Sequence, residues 1–233
     1  MRLQIPTVLA LTLAGSLCAV AGDIEGTVVI KRQLTKRKVA AQASAYERGV
    51  AVPPAASAES DPLKFERSHV AIYLEGEMPT KPVTAIMEQK SRRFLPDLLV
   101  IPAGATVSFP NHDPIFHNVF SLSKARSFDL GNYPKGQSRA VTFRQPGIVF
   151  VNCHLHPNMS AAIVVSPNAW SARPDENGKF TLSGVPPGTY TIVAWHKAAG
   201  FFRQTVQVTG RGITPVEFLI PLRDHEILQA GTR

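Results

Sequence analysis

The sequence predicts an all-β protein, on three observations. Proline (19) and glycine (16) are frequent and spread through the 233 residues, which cuts the chain into short pieces. Between them lie many short runs rich in β-branched residues, the types that suit a pleated surface. Several runs also alternate in polarity: Thr106-Val107-Ser108-Phe109 places Val107 and Phe109 on one face, and Thr205-Val206-Gln207-Val208-Thr209 does the same. The length allows one large domain or two small ones, and 44% hydrophobic residues are enough for a sizeable core.

Taken in order, Gly26-Thr27-Val28-Val29-Ile30 is a first strand. Residues 31–66 are basic, then rich in Ala and Pro, and read as a long loop with a short helix over 40–48. Val70-Ala71-Ile72-Tyr73-Leu74 is a second strand, ended by Glu75-Gly76. Strands are expected at 83–89, 98–101 and 106–109, and Asn111-His112-Asp113-Pro114 is a loop. Extended structure resumes over 117–120 and again over 139–143. Gln145-Pro146-Gly147 turns into a strand that ends at Cys153, and 161–165 closes that series. After Ser166, turn signals at Asp175-Glu176-Asn177-Gly178 and Val185-Pro186-Pro187-Gly188 separate strands at 180–182 and 190–195. Strands at 205–209 and 216–220 precede a polar tail over 223–233.

Residues 1–21 read as a signal peptide: Arg2 is the charged start, 8–20 is mostly apolar, and Ala19-Val20-Ala21 offers small residues for cleavage. The apolar run is short for a membrane span, and Asp23 and Glu25 follow it directly, so no stable membrane insertion is expected. The expected location is the periplasm. Cleavage removes Cys18 and leaves Cys153 as the single cysteine, which excludes an internal disulfide. A lone thiol in an oxidising compartment calls for something to hold it, and a metal ion is the sharpest explanation.

The formal charge of +8 drops by one, to +7, with Arg2 removed. Lys31, Arg32, Lys36, Arg37 and Lys38 supply much of it in one stretch. No nucleic-acid motif accompanies the charge, so a nucleic-acid partner is not expected. A solvated loop, or docking to an acidic redox partner or an anionic surface, fits it better.

The most informative stretch is Val149-Phe150-Val151-Asn152-Cys153-His154-Leu155-His156-Pro157-Asn158-Met159. It places a thiol, an imidazole and a thioether at three-residue intervals after a β-branched run. Two His, one Cys and a weak axial Met make an electron-transfer copper site. Three of those four are here, and His117, in Phe116-His117-Asn118-Val119-Phe120, is the candidate for the fourth.

Residues 83–166 resemble the cupredoxins, the blue-copper proteins such as plastocyanin and amicyanin. Phe94-Leu95-Pro96 before Leu99-Val100-Ile101 and Ala103-Gly104 looks like their opening hairpin. Val107-Ser108-Phe109, Asn111 and then His117-Asn118-Val119 look like their first-ligand loop. Pro146-Gly147 precedes Cys153 by a strand's length, and Cys153-x-x-His156-x-x-Met159 has the short amicyanin-like spacing. The flanks resemble the carboxypeptidase regulatory-like domain, a prealbumin-type β-sandwich, through Asn177-Gly178-Lys179-Phe180 and Pro186-Pro187-Gly188-Thr189-Tyr190. Together the resemblances imply two Greek-key β-sandwiches, a cupredoxin-like domain over 81–168 inserted between the two parts, 22–80 and 169–222, of the outer domain.

The resemblance to cupredoxins implies one type 1 copper with His117, Cys153, His156 and Met159 as its ligands. His154 competes with His156 but neighbours Cys153 and should face away from it, as adjacent strand residues do. A second-metal or partner-contact role stays open for His154. His112 competes with His117 and reads as a solvated loop residue. Asn118 is expected to brace the ligand loops by hydrogen bonding. Met159 could also be core filling. His69, His196 and His225 have no partners in sequence and read as structural or solvated.

The function these readings imply is periplasmic one-electron transfer to or from a redox protein, a cytochrome or dehydrogenase. An enzyme is not expected, because His154-x-His156 is the lone His-x-His pair and the zinc motif His-x-x-Glu is absent. Copper delivery, and a scaffold, protein- or carbohydrate-binding role for the outer sandwich, are the rival readings.

Overall fold

The computed structural model describes residues 20–35, 61–78, 80, 81 and 83–221. The expected signal peptide, the helix over 40–48 and the tail lie almost wholly outside them. The protein is all-β, with one short helix among the described residues.

The strands are β1 (Gly22–Ile30), β2 (Val70–Leu74), β3 (Thr84–Ile86), β4 (Glu88–Lys90), β5 (Arg93–Leu95), β6 (Leu98–Pro102), β7 (Ala105–Pro110), β8 (His117–Ser123), β9 (Arg126–Tyr133), β10 (Ser138–Phe143), β11 (Gly147–Asn152), β12 (Ser160–Ser166), β13 (Ser171–Ala172), β14 (Lys179–Val185), β15 (Gly188–His196), β16 (Gly200–Val208) and β17 (Ile213–Ile220). Helix α1 (Pro62–Ser68) precedes β2, and the Asp61 side chain caps it by accepting the Leu63 N–H.

Two sheets, in the orders β14-β1-β17 and β13-β2-β15-β16, enclose one core that includes Ile24, Val28, Ile72, Leu74, Phe180, Ile192 and Phe218. Two more, β10-β7-β3 and β6-β12-β11-β8-β9, enclose a second core of Met87, Phe94, Val107, Phe109, Tyr133, Phe143, Val149, Val151 and Ile163. Alternation builds this second core: in β7, Ala105, Val107 and Phe109 point in, while Thr106 and Ser108 do not. Each such aliphatic or aromatic side chain stabilises the fold by about 1.5–3 kcal/mol through removal from water.

The outer faces of the two sandwiches meet over a third cluster of Ala71, Leu98, Ala162, Val164 and Trp195. Polar contacts tie the same seam. Arg173 donates to the carbonyls of Ser68 and Leu98, and His69 Nε2 lies 2.8 Å from Asp97 Oδ1.

Several elements differ from the sequence reading. Part of the expected loop, from Pro62, forms α1 instead, and its buried Glu66 accepts the N–H groups of Leu34 and Thr35. The single strand expected over 83–89 is broken at Met87, which turns its side chain into the core. Strand β9 was not expected, because RSFDLGNY carries polar residues and a glycine on a half-exposed edge strand, where the hydrophobic pattern is weak. Strands β14 to β17 each extend beyond the expected segments, since strand pairing carries on past the apolar run.

Candidate metal centre

Pairing brings the candidate ligands together. Strand β11 lies between β12 and β8, with Asn152 opposite both Ser160 and Phe120. The end of β11 therefore adjoins the start of β8. Cys153 follows β11 directly and His117 opens β8, so one strand gap separates residues far apart in sequence.

Residues 153–159 connect β11 to β12 in a loop that closes on itself. The Cys153 N–H donates to the Met159 carbonyl at 3.2 Å, and the Met159 N–H donates to the His156 carbonyl at 2.9 Å. These bonds hold the three-residue spacing in space. The Nδ1 atoms of His117 and His156 lie 3.1 Å apart, and Cys153 Sγ is 3.6 Å from His156 Nδ1. One donor atom from each of the three residues falls within 4.8 Å of the others. Among the described residues this is the one group of three or more His, Cys, Asp or Glu so arranged.

The centre is closed on one side and open on the other. His117 is fully buried, Cys153 is 4% exposed and Met159 is 1% exposed, while His156 is partly exposed. Phe116 and Leu155 stand in solvent on the same loops. Burial, with His117 and Arg92 nearby, holds the His156 imidazole below the ordinary histidine range despite Asp113, which keeps its lone pair available.

Surrounding groups fix the Cys153 and His117 donors. The Asn118 N–H donates to Cys153 Sγ at 3.4 Å. The Asn118 side chain donates to Asp129 Oδ1 at 2.6 Å, and its oxygen faces the His154 N–H at 3.5 Å. Hydrogen bonds from the Gly131 N–H and Asn118 hold the Asp129 carboxyl below its usual range. Asp113 Oδ2 lies 2.8 Å from His117 Nε2. Burial pushes against its ionisation, but hydrogen bonds from Arg92, His117 and Ser91 outweigh that and lower its pKa.

His154 and His112 stay outside the cluster. His154 stacks on Phe120 at 3.6 Å between ring centroids, with Nε2 3.5 Å from Asp129 Oδ2. Its placement has a different cause from the one expected: β11 ends at Asn152, so a turn, not strand alternation, sends it away. His112 is half exposed, with Nε2 3.8 Å from Glu88. His69 and His196, unpartnered in sequence, pair across the fold with Asp97 and Glu66 respectively. His225 lies outside the described residues. Asp113 and Asp129 were missed as neighbours of the centre, and loop spacing alone carries no signal for such contacts.

The donor set fits a soft, redox-active metal. Two imidazole nitrogens and a thiol converge, and two nitrogen lone pairs at 3.1 Å need either a shared proton or a cation between them. Thiolate with imidazole suits copper, and so does the thioether of buried Met159 on the same loop.

No protein-family model matches the chain, and no curated protein matches it. Solved structures match part of it. The copper-containing nitrite reductase of Thermus scotoductus SA-01 is 27% identical, with a TM-score of 0.34, over 38% of this chain and 23% of its own. A reduced amicyanin variant is 20% identical, with a TM-score of 0.34, over 41% of this chain and 98% of its own. The purple cupredoxin from Nitrosopumilus maritimus is 23% identical, with a TM-score of 0.32, over 36% of this chain and 99% of its own. The expectation that the chain is not an enzyme is corrected here: one of these similar structures is an enzyme, the copper-containing nitrite reductase. No helix among the described residues is long and apolar enough to cross a membrane.

Proposed function

We propose that this protein is a type 1 copper protein that passes one electron at a time to or from a redox protein, a cytochrome or dehydrogenase, in the periplasm. His117, Cys153 and His156 would hold a single copper, with Met159 as a weak axial group. Residues 1–21 would direct export. The observation that carries this reading is the convergence of His117 Nδ1, His156 Nδ1 and Cys153 Sγ. Copper supplies the one-electron change between Cu(II) and Cu(I).

The chain's own residues do the rest. Buried His117 and Cys153 and the closed 153–159 loop keep the donors nearly fixed, so little rearranges when charge changes. Partly exposed His156 brings the centre to the surface, where a partner can approach. A delivery protein needs a looser, more exposed site than this one. The outer sandwich is proposed to be a carboxypeptidase regulatory-like domain, residues 22–80 and 169–222, that carries 81–168 as an insertion.

The test is metal analysis with a visible spectrum of the purified protein. One copper per chain and an intense thiolate-to-Cu(II) band are expected. Copper bound without that band would support copper handling instead, and zinc in its place would overturn the redox reading.

A further inference from the structure

Asp113 lies on the loop between β7 and β8, outside the ligand set proposed above, yet both its carboxylate oxygens are engaged. Oδ1 accepts the Ser91 N–H at 2.6 Å. Oδ2 accepts the Arg92 N–H at 2.8 Å and lies 2.8 Å from His117 Nε2. The Asp113 N–H donates to Asn111 Oδ1 at 2.9 Å, and the Asn111 amide donates to the carbonyls of Ile115 and Tyr133. The carboxylate is thus held from three sides.

Two of those sides are unusual. Ser91 and Arg92 form the β4–β5 turn at φ 54° and 55°, and they are the only non-glycine residues with positive φ among the described ones. A two-residue turn of this shape favours Asn-Gly, and Ser-Arg does not suit it. The Asp113 carboxylate binds both of its N–H groups and so compensates the strain. Backbone strain of this kind persists only where surrounding structure enforces it.

The same carboxylate decides what His117 offers. A carboxylate only accepts, so the neutral ring must carry its proton on Nε2 and turn the Nδ1 lone pair toward His156 and Cys153. We propose that Asp113 is a positioning residue that sets the tautomer and orientation of His117 before any metal arrives, and that it ties the metal centre to the Ser91–Arg92 turn. What the readied Nδ1 is for rests on the copper reading, while the tautomer does not. A charged acceptor also makes the imidazole a stronger donor, which favours the more highly charged metal state.

Long-range proton–nitrogen NMR of the metal-free full chain tests this in wild type, Asp113→Asn and Asp113→Ala. Wild type should show His117 with one ring proton, on Nε2. Asp113→Asn, which keeps an accepting oxygen, should retain that tautomer with the Nε2 proton shifted upfield. Asp113→Ala should give mixed tautomers and faster amide exchange at Ser91 and Arg92. An Nε2 proton unmoved in Asp113→Asn, the wild-type tautomer kept in Asp113→Ala, or both ring nitrogens protonated in wild type would overturn the proposal. If Asp113→Ala does not fold, the Asn variant still decides. Copper added to wild type and Asp113→Asn gives a separate readout: the reduction potential should rise in the variant, and an unchanged potential would overturn the link to the metal. Failure of wild type to bind copper would sink the functional reading and leave the tautomer result standing.

Discussion

The backbone N–H of Asn118 donates to the Cys153 sulfur at 3.4 Å, from the strand that opens with His117 to the loop that carries the thiol. This contact does two things. It gives the sulfur a hydrogen-bond donor, and it locks the two segments that carry the candidate ligands in register.

Cys153→Ser tests the thiol itself. A hydroxyl can take the place of Sγ and still accept the Asn118 N–H, so the fold should survive with a loss of about 1 kcal/mol. The charge-transfer band should vanish. A variant that keeps the full band would remove Cys153 from the site.

Met159→Gln tests the thioether. An oxygen donor is harder and favours Cu(II), so copper should stay bound and the reduction potential should fall. Voltammetry reads this directly. An unchanged potential would make Met159 core packing, in keeping with its burial. Outright loss of copper would make it a primary ligand.

Asn118→Ala removes the bond to Asp129 and the contact with the His154 N–H. The expected cost is about 0.5–1.5 kcal/mol, the net worth of one hydrogen bond, because Asp129 and His154 are exposed and water replaces the lost partner. Denaturant titration of the metal-free protein measures it, and a midpoint equal to wild type would show that Asn118 braces nothing.

The buried His196–Glu66 pair makes a pH prediction. His196 Nε2 lies 3.0 Å from Glu66 Oε2, and its Nδ1 accepts the Ala198 N–H. Burial lowers its pKa, against Glu66, which raises it. The folded state therefore binds fewer protons than the unfolded one, and stability should decline as pH falls below about 6.5. The lowered carboxylates add their own losses nearer pH 4, below this window. His196→Gln should flatten the slope between about pH 6.5 and 5 without abolishing it, because His156 in the metal-free protein is lowered too. An unaltered slope in urea titrations across that range would refute the assignment.

The separate cores predict separate folding. Residues 81–168 expressed alone should fold and bind copper, because their core closes without the outer sandwich. Exposure of Leu98, Ala162 and Val164 should lower the fragment's solubility. An unfolded fragment would show that the two sandwiches depend on each other.

Much of this protein was legible in the sequence. Short β-branched runs between turn residues determined that it is all-β, since periodicity and turn chemistry are local. The spacing of Cys153, His156 and Met159 marked the candidate ligand loop for the same reason: all three lie on one short connection. The break at Met87, the edge strand β9 and the helix α1 were not legible, because core geometry and pairing override weak local pattern there. Only the tertiary structure decided which distant groups meet. It set His117 beside Cys153 by placing β8 against β11, paired His196 with Glu66, and put Asp113 between His117 and the Ser91–Arg92 turn. These contacts depend on strand order and loop path, which are properties of the whole packed chain and leave no periodic trace along it.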